Sequence, residues 1–275
     1  MKKLPITAII LTYNEELNLP QCLKNIEPHV DEIIVVDSYS TDKTKEIAKK
    51  YNATVVDHEF KNQAQQFNWA IDNLEINNEW IFRLDADEWV TDELWNELEE
   101  KLEKTPENIT GYTMKRRVYF MNRWIKHGGY YPAWFLRLFR KGKARYEERA
   151  MDEHAYLTEG KSKKLKNDFV DQNHKPLKEW ISKHNNFSTR EVKAREKEAR
   201  QNIKGQAKRK RKLKTHFYSK LPLFCRAFAY FIYRYIFRLG FLDGKEGLIF
   251  HTLQGFWHQF LIDAKIYEKR KNDQQ

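Results

Sequence analysis

Two aspartates separated by one residue, Asp85 and Asp87, suggest the most specific chemistry in this sequence. They follow the apolar run 80–84, so a single strand would deliver both carboxylates to one loop. Carboxylate oxygens are the ligands that Mg²⁺ and Mn²⁺ prefer, and such an ion commonly also bridges phosphate oxygens. We therefore predict a divalent-cation site here. The alternative is a solvated turn before a helix capped by Thr91.

Three further polar groups follow apolar runs in the same way. They are residues 12–16 (TYNEE), 37–40 (DSYS) and 57–59 (DHE). In open α/β sheets, ligands bind beyond the carboxyl ends of the strands. Each group alone could be an ordinary loop or a helix cap. Together with residues 85–88 they predict a site for a polar ligand along one edge of a sheet.

The elements that must position these groups can be read from the alternation of apolar runs and helical patterns. Predicted strands span 6–11, 32–36, 53–56 and 80–84, and predicted helices span 17–26, 41–51, 64–74 and a segment after Thr91. Strands that are apolar throughout and alternate with helices indicate a parallel sheet covered on both faces. From residue 111 the pattern is more irregular, with predicted strands at 112–120 and 134–139 and a long polar helix at 177–200.

Four segments resemble, in order and spacing, the family 2 glycosyltransferases of the GT-A fold. The segments are 9–16 (IILTYNEE), 35–44 (VVDSYSTDKT), 66–70 (QFNWA) and 85–87 (DAD). Residues 238–245 (RLGFLDGK) are similar to the tail of bacterial glucosyltransferases of the lipopolysaccharide-core type. The resemblance implies an α/β, Rossmann-like GT-A fold, with a mostly parallel sheet flanked by helices and a C-terminal helical, amphipathic tail.

The same resemblance implies a division of the chain and a binding site for a nucleotide-sugar. Residues 1–110 would form the nucleotide-sugar-binding half, 111–176 the acceptor-binding half, and 177–275 a basic, aromatic, membrane-associating region. The donor-site roles implied are Thr12 and Tyr13 in the nucleobase pocket, Glu15 near the ribose, Asp37 as acceptor for the base, and Asn68 near the diphosphate or sugar. An acceptor at Asp37 suits the imide N–H of uracil, so the expected donor is a UDP-sugar. Tyr13 could alternatively pack under the first loop.

Metal binding is a further implication of the resemblance. Asp87 would hold a Mg²⁺ or Mn²⁺ ion directly, while Asp85 would contact both the ribose and the metal. Enzymes of this fold often add a later metal or phosphate contact, for which Asp171 and His174 are the candidates. A lone histidine in such a place is also commonly structural.

Inverting transfer needs a base opposite the leaving diphosphate to take the proton of the acceptor hydroxyl. A carboxylate suits this task, and residues 150–154 (AMDEH) supply two. The resemblance aligns Glu153 with the base and leaves Asp152 as the second candidate. Either residue could instead cap the chain locally or pair with Arg145 or Arg149.

The positive charge of the chain points to an anionic partner. The formal net charge is +11, and basic residues concentrate in 204–214 (KGQAKRKRKLK). Residues 221–242 then form an apolar, aromatic stretch interrupted by Arg226, Arg234 and Arg238. As one helix, the stretch would place these arginines on one side, which suits a helix lying on an anionic membrane surface. The alternative is a helical subdomain that packs on the catalytic core.

The function predicted from these observations is a metal-dependent, inverting hexosyltransferase. It would move a sugar from a nucleotide-sugar to a lipid-linked saccharide in cell-envelope polysaccharide or lipopolysaccharide synthesis. With two cysteines and no secretory signal at the N-terminus, the expected location is cytoplasmic, peripheral on the inner face of the cytoplasmic membrane. A basic nucleic-acid- or anionic-lipid-binding protein without transferase activity is the alternative, although no nucleic-acid partner is expected because the acidic groups would repel its backbone.

Overall fold

The computed structural model describes residues 3–147, 154–200 and 221–273. The chain forms two compact units, the first comprising Met1–Asn122 with Tyr131–Lys175 and the second Arg123–Tyr130 with Pro176–Gln275. The predicted catalytic bases Asp152 and Glu153 and the basic run 204–214 lie outside the described residues. The short excursion 123–130 thus leaves the first unit and returns to it.

The strands and helices of the described chain follow the predicted alternation. The strands are β1 (Leu4–Thr12), β2 (Val30–Asp37), β3 (Thr54–Asp57), β4 (Trp80–Asp85), β5 (Glu88–Val90), β6 (Ile109–Phe120), β7 (Arg123–Trp124), β8 (Trp134–Arg140), β9 (Ala144–Tyr146), β10 (Ala155–Leu157) and β11 (Lys161–Gln172). The helices are α1 (Leu19–Ile26), α2 (Thr44–Lys50), α3 (Gln63–Asn73), α4 (Asp92–Lys101), α5 (Leu177–Arg200), α6 (Cys225–Ile232), α7 (Gly244–Phe250) and α8 (His258–Asn272). The four strands and four helices predicted before residue 105 are all present.

The sheet of the first unit has the strand order β3-β2-β1-β4-β8-β6-β11-β5. β1 pairs in parallel with both β2 and β4, and β2 with β3. β8 runs antiparallel to β4 and β6, whereas β6 and β11 are parallel. The chain order reverses beside β1, which has β2 on one side and β4 on the other. In open α/β sheets the crevice beyond the carboxyl ends at such a switch point receives the ligand.

Apolar side chains cover both faces of β1, which explains why the strand carries no charged residue and is mostly apolar. Ile6, Ala8 and Ile10 belong to one core, together with residues of α1 and α4. Ile9 and Leu11 belong to the core on the opposite face, together with residues of α3. Because both faces are packed, the polar residues at the end of this strand are confined to the carboxyl edge of the sheet.

The second unit is helical, but its aromatic stretch differs from the single helix predicted over 221–242. α6 ends at Ile232, a π-helical turn continues to Phe237, and Leu239 adopts a φ of 59°. This left-handed conformation cannot continue a right-handed helix, so a short 3₁₀ turn, Gly240–Asp243, leads into α7 instead. Among the described residues, no helix combines the length and the apolarity needed to cross a bilayer.

Buried charges organise the interior of the second unit. Arg226 Nε donates a hydrogen bond of 2.6 Å to Asp263 Oδ1, and Arg234 Nε donates one of 2.7 Å to the carbonyl oxygen of Gly128. Arg226 and Arg234 are each only 8% exposed, whereas Arg238 is exposed. The expected outward row of three arginines is therefore absent, because partners distant in the sequence draw two of them inward.

One fully buried histidine and one half-buried histidine also lie in this unit. His251 is fully buried, and among the described residues neither of its ring nitrogens has a hydrogen-bond partner. Burial, assisted by the charge of Arg234, lowers its pKa to about 4. His184 stacks on Trp180 with ring centroids 3.5 Å apart, and burial lowers its pKa to about 4 as well. Both imidazoles are therefore neutral in the folded protein at pH 7.

These two pKa values predict a loss of stability in mild acid. An unfolded histidine binds a proton near pH 6.5, whereas His184 and His251 stay neutral in the fold until about pH 4. Protons therefore favour the unfolded chain as the pH falls from about 7 to about 4. We expect the melting temperature, followed by circular dichroism, to drop by a few degrees between pH 7.5 and pH 5.

Two histidine variants separate the destabilisation caused by histidine protonation from that caused by protonation of carboxylates. His184→Gln should flatten the pH dependence, while replacement of the exposed His154 by Gln should leave it unchanged. Equal slopes for the wild type and the His184→Gln variant would contradict the assignment.

Candidate active site

The register of the sheet brings the predicted polar groups to one edge. Thr12 at the end of β1 is paired with Asp37 at the end of β2, and Asp37 in turn with Asp57 at the end of β3. On the other side of β1, Leu11 is paired with Asp85 at the end of β4. Four strands therefore end at one level, and the loops that follow them form the site.

Asp37 is the buried anchor of the first two loops. It is fully buried, and its carboxylate accepts hydrogen bonds from Thr12 Oγ1 at 2.8 Å, from the Ser40 backbone N–H at 2.7 Å and from Ser40 Oγ at 2.5 Å. A carboxylate offers about four acceptor positions, so one position on Oδ1 remains by this count. The contact predicted between Asp37 and a base stays a prediction, and the bonds shown fix the loop geometry.

Two exposed tyrosines flank this anchor. Tyr13 is 60% exposed and Tyr39 is 58% exposed, each in the loop that follows its strand. Asn14 and Tyr39 have positive φ values of 51° and 60°. The Asn14 N–H donates to Ser40 Oγ at 2.8 Å, which holds the two loops together. Strained backbone next to exposed aromatic rings is typical of ligand-binding loops, and the rings offer flat surfaces for a nucleobase. The alternative of a packed Tyr13 does not hold.

A hydrogen-bond network joins the first loop to the segment after β11. The buried Asn18 donates from Nδ2 to Glu15 Oε2 at 2.7 Å and to Asn173 Oδ1 at 3.3 Å. Asn173 Nδ2 donates to Asp87 Oδ2 at 3.1 Å, and Lys175 Nζ donates to Glu15 Oε1 at 2.7 Å. Burial raises the pKa of Glu15, although Lys175 opposes the shift. The network places a cation, two amides and two carboxylates within one site.

Asp85 is held by two buried arginines. Arg83 donates to both of its oxygens, at 2.9 and 2.7 Å, and Arg137 Nη2 lies 3.4 Å from Oδ2. Arg137 also donates to the buried Glu88. Burial, together with the nearby Asp85 carboxylate, raises the pKa of Glu88 well above its usual range. The arginines fix the orientation of Asp85 and offset its charge, which leaves it fewer free lone pairs than Asp87.

Asp87 is the carboxylate best suited to a cation. It is half-buried, and its backbone carbonyl accepts from the Gln172 N–H at 2.8 Å, which fixes the loop. Its side chain accepts the single hydrogen bond from Asn173 described above, so oxygen lone pairs remain for a hard cation. No group of three or more His, Cys, Asp or Glu side chains is poised to hold a metal within the described residues. The donor set thus fits an ion bound mainly through Asp87 whose other ligands come from a phosphate-bearing molecule and water.

The other two predicted metal contacts have partners of their own. Asp171 lies 3.2 Å from Arg116 in a salt bridge. His174 is exposed, and its Nε2 lies 2.6 Å from Gln21 Oε1. Asp171 is paired with Glu88 where β11 runs beside β5, which places it next to the Asp85 cluster. A metal or phosphate contact by either residue stays a prediction.

Asn68 is buried beneath the site. Its Nδ2 donates to the Tyr146 carbonyl at 3.0 Å, and its Oδ1 accepts from the Tyr146 N–H at 3.0 Å. Its amide therefore positions the end of β9, immediately before the undescribed segment that contains Asp152 and Glu153. The predicted role near the diphosphate or sugar stays a prediction. Two residues earlier, Gln66 Nε2 donates to Ser38 Oγ at 2.7 Å, which links α3 to the second loop.

Several residues of the site were missed from the sequence, namely Asn18, Arg83, Arg137, Asn173 and Lys175. A signal for Arg83 was available, because it is the one charged residue in the apolar run 80–84. Residues 172–175 (QNHK) are a polar group after a strand, so the strand-end argument applied to Asn173 and Lys175 too. Arg137 carries the same signal as Arg83, because it is the one charged residue in the apolar run 134–139, whereas Asn18 carries none, since its partners are set by the fold.

Both the amino-acid sequence and the fold of this chain are similar to those of known proteins. The model for "Glycosyl transferase family 2" matches residues 7–169. The lipopolysaccharide core biosynthesis glycosyltransferase LpsC of Rhizobium meliloti (strain 1021) is 29% identical over 97% of this chain and 93% of LpsC. An uncharacterized glycosyltransferase of Rickettsia conorii, RC0292, is 38% identical over 34% of this chain and 33% of its own.

Among solved structures, glucosyl-3-phosphoglycerate synthase from Mycobacterium tuberculosis in complex with Mn²⁺, UDP and glucosyl-3-phosphoglycerate is similar over 42% of this chain and 44% of that one. The sequence identity is 23% and the TM-score is 0.34. A likeness of this size carries no conclusion about the ligands of this chain.

Proposed function

This chain belongs to glycosyl transferase family 2, and we propose that it transfers a hexose from a nucleotide-sugar, a UDP-hexose, to a lipid-linked saccharide acceptor. The acceptor would belong to lipopolysaccharide or another cell-envelope polysaccharide. The single observation that carries the proposal is the common edge at which β1, β2 and β4 deliver Thr12, Asp37 and Asp85. Polar side chains, exposed aromatic rings and a half-buried carboxylate meet at this edge.

The donor would lie across the loops that follow β1 and β2. Tyr13 and Tyr39 offer exposed rings for the nucleobase. Asp37, with one acceptor position left, suits a base that carries an N–H. Glu15 would accept from a ribose hydroxyl in place of one of its two present partners. The fold already holds Asp37 and Glu15 through other hydrogen bonds, so these two carboxylates would need little ordering on binding.

A Mg²⁺ or Mn²⁺ ion fits the donor chemistry at Asp87, with Asp85 beside it. The bound ion would offset negative charge on the diphosphate as it leaves. Asp87 would hold the ion, and Asn173 would keep the Asp87 carboxylate in one orientation. Lys175, already in this network, adds a fixed positive charge near the same place.

Transfer with inversion follows if a carboxylate faces the sugar from the side opposite the diphosphate. The acceptor hydroxyl gives its proton to Glu153, or to Asp152 as second candidate. Its oxygen then forms the bond to the anomeric carbon while the bond from that carbon to the diphosphate breaks. Both residues lie in a segment outside the described chain. Asn68 holds Tyr146, which precedes that segment in the chain, through two hydrogen bonds.

The acceptor class draws its support from LpsC, whose name describes lipopolysaccharide core biosynthesis and whose sequence aligns with nearly the whole chain. We propose that residues 1–110 bind the donor, 111–176 the acceptor, and 177–275 hold the enzyme at the cytoplasmic face of the membrane. The net charge of +11 is consistent with acidic lipid there.

A donor screen tests the proposal. We expect hydrolysis or a thermal shift with a UDP-sugar plus Mn²⁺ or Mg²⁺, and a weaker response with GDP-, ADP- and dTDP-sugars. Filter binding with plain DNA and RNA tests the alternative of a nucleic-acid-binding protein. Tight DNA or RNA binding without any response to a nucleotide-sugar would contradict the proposed transferase.

A further inference from the structure

Exposed apolar side chains concentrate in one short stretch of the second unit. Of the twenty large hydrophobic side chains that are exposed within the described chain, ten lie in residues 228–249. They are Phe228, Ile232, Tyr233, Ile236, Phe237, Leu239, Phe241, Leu242, Leu248 and Ile249. We call the stretch 228–249 the docking face. Half-exposed side chains of this size each leave on the order of 100 Å² in water, so together these ten side chains expose several hundred Å² of apolar surface.

The polarity of the docking face is the reverse of that of a water-facing helix. Its buried residues include Arg234 and Asp243, at 8% and 2% exposure, while Phe237 is 72% exposed. Asp243 accepts from the His127 backbone N–H at 2.9 Å, and Arg234 donates to Gly128 as described above. A helix at a water interface turns its charges outward and its apolar residues inward. The opposite arrangement is suited to a surrounding that is itself apolar.

The lengths of the elements limit how this stretch can meet a membrane. α6 has eight residues and α7 has seven. At about 1.5 Å per residue each is about 10–12 Å long, against about 30 Å for the hydrocarbon core of a bilayer. Neither element can cross it, but side chains on short helices can enter the boundary between headgroups and acyl chains.

The charges on the docking face favour a lipid surface over a second copy of the chain as its partner. Arg238 and Lys245 are exposed, whereas its acidic residues are the buried Asp243 and the half-buried Glu246. In a symmetric dimer the two cations would face a surface with little exposed acid. Anionic headgroups would complement them, and each such cation contributes about fivefold to membrane binding.

We propose that residues 228–249 insert their apolar side chains into the interfacial layer of an acidic phospholipid membrane. Arg238 and Lys245 would contact the headgroups. This inference rests on the proposed function, because a lipid-borne acceptor would be presented at such a membrane. It identifies residues 228–249 as the part of the chain that contacts the membrane. The exposed groups are the apolar residues together with Arg238 and Lys245, whereas Arg226 and Arg234 serve the interior of the unit.

Co-sedimentation with vesicles tests the docking face. The probes are vesicles of phosphatidylglycerol with phosphatidylethanolamine, and vesicles of phosphatidylcholine as the neutral case. The double variant Ile236→Ser with Phe237→Ser removes two exposed side chains and should weaken binding to both kinds of vesicle by about tenfold or more. The control is Tyr156→Ser, because Tyr156 is an exposed aromatic residue of the first unit. This control should bind vesicles like the wild type.

The cations are tested separately. Arg238→Gln with Lys245→Gln should weaken binding to the anionic vesicles alone, by about fivefold for each residue, and should reduce its dependence on salt. Melting temperatures near that of the wild type would show that all variants are folded. Hydrolysis of the nucleotide-sugar in solution should be unchanged in them, since none of these residues belongs to the donor site.

Three results would overturn the inference. They are wild-type vesicle binding by the Ile236/Phe237 variant, absence of vesicle binding by the full chain, and a wild-type dimer that the same variant dissociates. The last result would assign the docking face to a second copy. A chain that binds vesicles through these residues but uses no nucleotide-sugar would instead remove the proposed function and leave the docking face standing.

Discussion

Replacing Asp87 with alanine is expected to lower sugar transfer by about 10²–10³-fold, the usual cost of removing one fixed charge-stabilising group. Asp87 is the carboxylate of the site with the most free lone pairs, so its loss removes the main protein ligand proposed for the cation. The measurement is turnover of a UDP-sugar at several Mn²⁺ concentrations. Binding of UDP, followed by calorimetry with and without Mn²⁺, should lose its metal dependence in the same variant.

Asp57→Ala is the matched control for this experiment. Asp57 also ends a strand of the sheet, in register with Asp37, but it is exposed and pairs with Lys45 at 3.2 Å. Its loss should leave turnover within a factor of about two. An Asp87→Ala enzyme that turns over at the wild-type rate in chelator-treated buffer would show that the metal assignment is wrong.

Replacing Glu153 with glutamine should lower turnover by about 10²–10⁴-fold, because general-base catalysis typically contributes that much. Glutamine keeps the shape of the side chain but cannot accept a proton. Donor binding should survive, since the base acts on the acceptor hydroxyl. The informative measurements are kcat with a saccharide acceptor and, in parallel, the Kd for UDP.

Asp152→Asn distinguishes the two adjacent carboxylates. If Glu153 is the base, the Asp152→Asn variant should retain most of its turnover. The reverse result, a fully active Glu153→Gln enzyme and an inactive Asp152→Asn enzyme, would transfer the role to Asp152. Loss of UDP binding in either variant would indicate a structural role instead.

The sheet could be predicted from the sequence because its strands are buried on both faces. The run of residues 6–11 contains no charged residue and a single polar one, Thr7, and the polar residues that follow mark the end of the strand. The cap of α4 was equally readable, since Thr91 Oγ1 accepts from the Leu94 N–H at 3.3 Å as predicted. Local chemistry determines such features, so one sequence is enough to find them.

The network around Asp87 could not be predicted, because its members are far apart in the chain. Lys175 meets Glu15 across a separation of 160 residues, and Asn18 meets Asn173 across 155. No local pattern encodes these pairs. The C-terminal tail could not be predicted fully for the same reason. Helical periodicity assigned Arg226 and Arg234 to an outer face, whereas both are buried. Their actual positions depend on Asp263 and Gly128, which periodicity does not take into account.

The excursion of residues 123–130 into the second unit has a consequence for protein engineering. Between β6 and β8 the chain leaves the first unit, supplies His127 and Gly128 to the interior of the second, and returns. A chimera that exchanges only the segment after residue 176 would separate Arg234 and Asp243 from the groups that match them. An interchangeable module must therefore consist of two pieces of the gene, the eight codons for 123–130 and the codons from 176 onward, exchanged together.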